Sequence, residues 1–130
     1  MKPAGRAGRG ERRARLLGLL ERLPEAKAVP VNGRHLSLEV RGRRFGWLLD
    51  DHHGDRRLAL HCRAPAGANR MLVASAPLQF FLPPYLGNRG WVGAWLDLDG
   101  VDWAAVDAVL DDAYRLAAPL VLLRQLWDAK

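Results

Sequence analysis

Between Leu36 and Cys62 apolar residues recur at every second position over three short stretches, and few folds accommodate that pattern. Leu36, Leu38 and Val40 alternate with Ser37 and Glu39; Phe45, Trp47 and Leu49 alternate with Arg44, Gly46 and Leu48; Leu58, Leu60 and Cys62 alternate with Ala59 and His61. A period of two marks a half-buried strand, so each triplet is expected on one face of a sheet. Arg41-Gly42 is a tight hairpin signal, and the wider turn from Asp50 to Asp55 contains Gly54. Connections this short join antiparallel neighbours. The three strands are therefore expected to form a meander with one face on a core and the other at least half wet.

Helices flank this meander. Leu16, Leu17, Leu19, Leu20 and Leu23 make a stripe that only a helix presents to one side, and Pro24 stops it. The preceding MKPAGRAGR has no apolar repeat. Residues 1–9 are expected to be a disordered basic tail, and residues 10–130 a single domain. Glu25 to Gly33 reads as a connection. Residues 66 to 75 read as a short helix closed by Pro77, Pro83-Pro84 as an extended segment, and Gly87-Asn88-Arg89-Gly90 as an exposed turn. A fourth strand is expected from Trp91 to Leu96, with Val92, Ala94 and Leu96 facing one way and Trp91 and Trp95 the other. Both of its faces want cover, which places it centrally or beneath a helix. Asp102 suits the N-cap of a helix with the core stripe Val106, Leu110, Ala113, Tyr114 and Ala117. Pro119 interrupts it, and Leu120 to Trp127 forms a short last helix. The expected fold class is α+β, a two-layer domain with a mainly antiparallel sheet packed by helices.

At 130 residues the chain suffices for one modest core. It has no apolar run long enough for a membrane span, so no membrane partner is expected. Cys62 stands alone, which leaves no intrachain disulfide or thiolate zinc cluster and makes a reducing cytoplasm the expected compartment. The net charge of +6 is polarised along the chain. Lys2, Arg6, Arg9, Arg12, Arg13 and Arg15 face only Glu11, and Arg34, Arg41, Arg43 and Arg44 face only Glu39, whereas aspartates dominate from Asp97 onward. Guanidinium forks suit phosphate.

Enzyme-like constellations are sparse. No Gly-rich phosphate loop, nucleophile elbow or HExxH is present. His52-His53, His61 and Cys62 lie close in sequence, but alternation sends His61 and Cys62 to opposite faces, so they read as a wet turn and strand residues. Ser37 and Ser75 have no specified base. Asp97, Asp99, Asp102, Asp107, Asp111 and Asp112 match no calcium loop and read as helix capping and solvation. A non-enzymatic protein without metal or cofactor is expected. Arg41, Arg43 and Arg44 at the Gly42 turn, with Arg34 nearby and Arg12, Arg13 and Arg15 in the Arg-rich start, are expected to contact the phosphates of double-stranded DNA without reading bases. The alternative is a groove for a small ligand or a protein near Tyr85, Asn88, Arg89 and Trp91, bordered by Phe80-Phe81 and Pro83-Pro84.

The run Phe80-Phe81-Leu82-Pro83-Pro84-Tyr85-Leu86-Gly87-Asn88-Arg89-Gly90-Trp91-Val92, followed by Val101-Asp102-Trp103 and Ala113-Tyr114-Arg115-Leu116-Ala117, resembles the MmcQ/YjbR family. The resemblance covers roughly residues 14 to 125. It implies a compact α+β domain similar to the frataxin-like arrangement, with a double-wing element and a DNA-binding role. It transfers no catalytic residue. The acidic first helix expected of frataxin is absent, since Arg12, Arg13, Arg15 and Arg22 outnumber Glu11 and Glu21.

Overall fold

The computed structural model describes residues 6–128. Its order is α1 (Arg6–Glu21), β1 (Ala26–Pro30), β2 (Leu36–Val40), β3 (Arg43–Asp50), β4 (Leu58–Cys62), α2 (Ala68–Ser75), β5 (Phe80–Phe81), β6 (Val92–Trp95), α3 (Trp103–Ala117) and α4 (Leu120–Asp128). The strands form a 6-stranded sheet in the order β1-β2-β3-β4-β6-β5, with every pairing antiparallel. The expected meander is its centre, and the expected α+β class holds. None of the described helices is long and apolar enough to cross a membrane.

The helical stripes land where their periodicity sends them. Leu16 and Leu20 of α1, with Leu23 in the turn just after it, meet Val106, Leu110, Ala113, Tyr114 and Ala117 of α3 and Leu38, Val40, Leu48 and Leu60 of the sheet in one core. Asp102 caps α3 by accepting from the Ala105 amide at 3.1 Å. Tyr114, fully buried, stacks edge-on to Phe45 and donates its hydroxyl proton to the Pro24 carbonyl at 2.7 Å, which ties the end of the first helical segment to α3. Pro119 lacks an amide proton and separates α3 from α4.

Three expectations need correction. Helix α1 begins at Arg6, ahead of the expected start near Gly10; residues 1–5 of the expected tail lie outside the described residues. The segment read as a connection from Glu25 to Gly33 contains β1, paired along its length with β2. Its Ala-Lys-Ala-Val-Pro sequence has almost no alternation because an edge strand buries little, and Lys27 and Pro30 are the residues that blunt an exposed edge. Third, Phe45, Trp47 and Leu49 do not share a face. Register shifts between Leu38 and Glu39, so Leu38 pairs with Gly46 but Glu39 with Arg44, leaving Phe45 as the extra residue. A bulge of this kind reverses facing beyond it. Phe45 and Leu48 are consequently buried in the core, while Trp47 and Leu49 are partly exposed on the opposite face.

Candidate functional site

Arginines dominate this chain, and their partners sort them into two groups. The amino-terminal set turns inward. Arg12 donates to the Leu96 carbonyl at 3.1 Å and to that of Leu98, joining α1 to the segment after β6. Arg13 donates to the Asp50 carboxylate at 2.8 Å and to the Arg34 carbonyl at 2.6 Å, and Arg34 reaches the same carboxylate at 3.0 Å. Asp50 is only 4% exposed, so these guanidiniums satisfy a charge that water does not. Arg15 lies 4.6 Å over the Trp103 ring.

A second group gathers at one end of the sheet. The β2–β3 turn uses two left-handed residues, Arg41 at φ 48 and Gly42 at φ 77, as a two-residue hairpin requires. Arg41 holds Glu25 through both prongs of its fork, at 3.0 and 2.9 Å, whereas Arg43 and Arg44 are exposed. Cys62 pairs with Gly46 on one side and Val92 on the other, so the end of β4 and the start of β6 stand at this same end. Arg63 follows there, its amide donating to the Phe45 carbonyl at 3.0 Å. Next to it opens a shallow cleft of about 430 Å³ lined by Ala64, Arg70, Asn88 and Arg89 among others. Buried Asn69 shapes that cleft by donating to the Gly87 and Trp91 carbonyls, both at 3.0 Å. Among the described residues none of Arg43, Arg63, Arg70 and Arg89 joins an ion pair.

The two candidate sites of the sequence are thus neighbours. The hairpin arginines and the pair Asn88 and Arg89 belong to one end of the sheet. Tyr85 and Trp91 do not line the cleft, and Tyr85 is 92% exposed at a φ of 65.

The sheet face turned away from the core carries a feature that sequence reasoning missed. Cross-strand pairing puts Ser37, Trp47, His61, Gly93 and Phe81 in one row running from β2 through β3, β4 and β6 to β5. The Arg44 guanidinium lies 3.6 Å over Trp47 and donates through Nε to Ser37 Oγ at 2.8 Å. Ser37, expected on a wet face, is 1% exposed because this arginine and the Trp47 ring close over it. His61 meets the edge of Phe81 at 5.5 Å, and Phe81 stacks on Trp95 at 4.5 Å. Arg57 lies 3.9 Å over Trp95 and is held by both oxygens of Asp97, at 2.8 and 3.0 Å. Asp97 is fully buried and also accepts the Leu58 amide at 3.0 Å. Gly93 is what admits the Phe81 ring, since a Cβ there would stand 2.3 Å from two ring carbons. Once the register shift at Phe45 is allowed for, period-two facing places Trp47, His61 and Trp95 together; that shift was the missing signal.

Burial in this layer pushes the His61 imidazole down to about 4 from the usual 6.5. Between those values the unfolded chain binds a proton that the folded protein refuses, so stability falls as pH drops through that window, by up to about 3 kcal/mol. Denaturant titrations at pH 7.5 and pH 4.5 are expected to show that loss in the parent and a smaller one in His61→Gln. An equal loss in both would assign the acid lability elsewhere. Cys62, on the opposite face as alternation requires, is fully buried in the core. His52 stands 5.3 Å from His35, but among the described residues no group of three or more His, Cys, Asp or Glu is placed to hold a metal ion.

Comparison with known proteins agrees with this architecture. The family model described as YjbR matches residues 21–116. No curated protein matches the chain. Among solved structures, the crystal structure of Deinococcus radiodurans protein DR2400, described by the family-model domain DUF419, is similar at a TM-score of 0.63 and 21% identity. The similarity covers 78% of this chain and 74% of that one.

Proposed function

The chain belongs to the YjbR family, and from that footing we propose that it binds nucleic acid, double-stranded DNA included, by contacting phosphates without reading sequence. One observation carries this reading. Arg43, Arg63, Arg70 and Arg89 come from separate segments, converge on one end of the sheet, and are free of ion pairs among the described residues, while Arg44 and Arg41 stand beside them. Clustered guanidiniums without internal partners are what a phosphate backbone recognises. Such contacts position a duplex but carry no base information.

The contact set of this proposal centres on Arg43, Arg63, Arg70 and Arg89, with Arg44 at its side and Arg41 at the hairpin tip holding Glu25. Arg12, Arg13 and Arg34 have a different task, since each already neutralises a carboxylate or caps carbonyls inside the fold. No chemical step is part of the proposal. Tyr85 and Trp91 do not line the cleft that Asn88 and Arg89 border, so the residues first grouped as a ligand groove do not share one wall there.

The test is fluorescence anisotropy of a labelled duplex titrated with the full chain at several salt concentrations. With about four phosphates engaged, affinity is expected to fall about 100-fold between roughly 50 and 200 mM salt. Binding absent at the low-salt end, or independent of salt, would overturn the proposal.

A further inference from the structure

We infer that the outer face of the sheet stacks unpaired nucleobases, so that single-stranded nucleic acid is the preferred ligand of the interface proposed above. The inference rests on that reading and names its ligand class. Trp47, His61, Phe81 and Trp95 are all partly exposed, lie on adjoining strands, and set a band of aromatic rings across the sheet from β3 to β5, with His61 edge-on to Phe81 and Phe81 stacked on Trp95. With strands about 4.8 Å apart the band spans on the order of 14 Å, room for more than one base. In a duplex the faces of the bases are covered by their neighbours in the stack. Only a single strand can offer them to aromatic and guanidinium groups on a protein surface.

The layer is also built to hold still. Asp97 fixes Arg57 against Trp95, Ser37 fixes Arg44 against Trp47, and the backbone of Gly93 seats Phe81. Rings locked in this way lose little freedom on binding. The arrangement gives Arg44 two uses, since its guanidinium plane extends the stacking surface while its position at the hairpin puts it beside Arg43 and Arg63. The row of rings lies one residue pair from the basic end of the sheet, so a strand laid along it carries its phosphates beside that end, and the charge there complements it. His61 stays neutral at pH 7, so it joins the band as a ring rather than a cation. Every base has a π face, which makes binding of this kind tolerant of sequence.

The experiment compares three labelled ligands of about 12 nucleotides, a length within the usual site range, against the full chain at one low salt concentration. They are oligothymidylate, a duplex of equal length, and an abasic strand with the same number of phosphates. Oligothymidylate is expected to bind about tenfold tighter than either of the others and to quench the intrinsic tryptophan emission, which the abasic strand leaves unchanged. Trp47→Leu is expected to remove most of that advantage, and Trp47→Phe, which keeps a ring, to retain it. Equal binding of thymidylate and abasic strands overturns the stacking inference and leaves the phosphate reading intact, and this comparison needs no variant to fold. Failure of all three ligands to bind overturns both.

Discussion

Asp97→Ala is expected to cost about 3 kcal/mol of stability and to lower Tm by on the order of 10 °C. The carboxylate is fully buried, takes both prongs of Arg57, and accepts the Leu58 amide as well. Removing it leaves a buried amide without a partner and a guanidinium lying over the Trp95 ring with no counter-charge. The Arg57 side chain is 25% exposed and reaches solvent in part, which keeps the cost at the lower end for a broken buried pair. Thermal unfolding followed by circular dichroism measures the effect. A shift of less than about 3 °C would show that the Arg57–Asp97 pair contributes no more than a surface contact. The double variant Arg57→Met/Asp97→Leu is expected to recover the part of the loss that comes from the unpaired guanidinium and to keep the part that comes from the Leu58 amide, which no apolar side chain can accept from.

The largest effect on binding is expected from Arg43→Gln, Arg63→Gln and Arg89→Gln combined. These guanidiniums make no ion pair among the described residues, so their removal leaves the fold as it was and takes three charges from the proposed phosphate surface. Affinity for duplex at about 50 mM salt is expected to drop on the order of 100-fold, and the salt slope to shrink by about 3. Arg13→Gln with Arg34→Gln provides the contrast. It removes two charges against three, yet both serve Asp50, so it is expected to lower Tm and change the binding slope little. Equal loss of affinity in the two variants would mean that binding follows net charge rather than this surface.

Much of the architecture was legible without coordinates. Local alternation was sufficient for β2, β4 and β6, because a strand paired on both sides with one face in the core must repeat every two residues. The stripe Val106, Leu110, Ala113, Tyr114 and Ala117 is buried as written, because helical facing is a property of the helix alone. Asp102 capped α3 and Pro119 ended it for equally local reasons. Strand β1 escaped notice since an edge strand of small residues has no pattern of its own and exists by virtue of its pairing with β2.

The site was legible only in outline. Composition, the hairpin turn and the positions of Arg41, Arg43 and Arg44 can be read directly from the residues, since a two-residue turn places its flanking side chains without outside help. Which other arginines remain free cannot be read in that way. Arg12 finds its acceptor 86 residues along the chain and Arg57 its carboxylate 40 residues along, and only folding brings those groups together. The aromatic row depends on the same long-range term through the extra residue at Phe45. A bulge is a mismatch between two strands, so neither strand's sequence contains it, yet it alone decides that Trp47 turns outward to join His61 and Phe81. The sequence by itself determined the four alternating strands β2, β3, β4 and β6, the helical faces and the supply of guanidinium groups. Tertiary pairing decided which of those groups meet a carboxylate and which meet solvent, because a charge is satisfied by proximity in space and not along the chain.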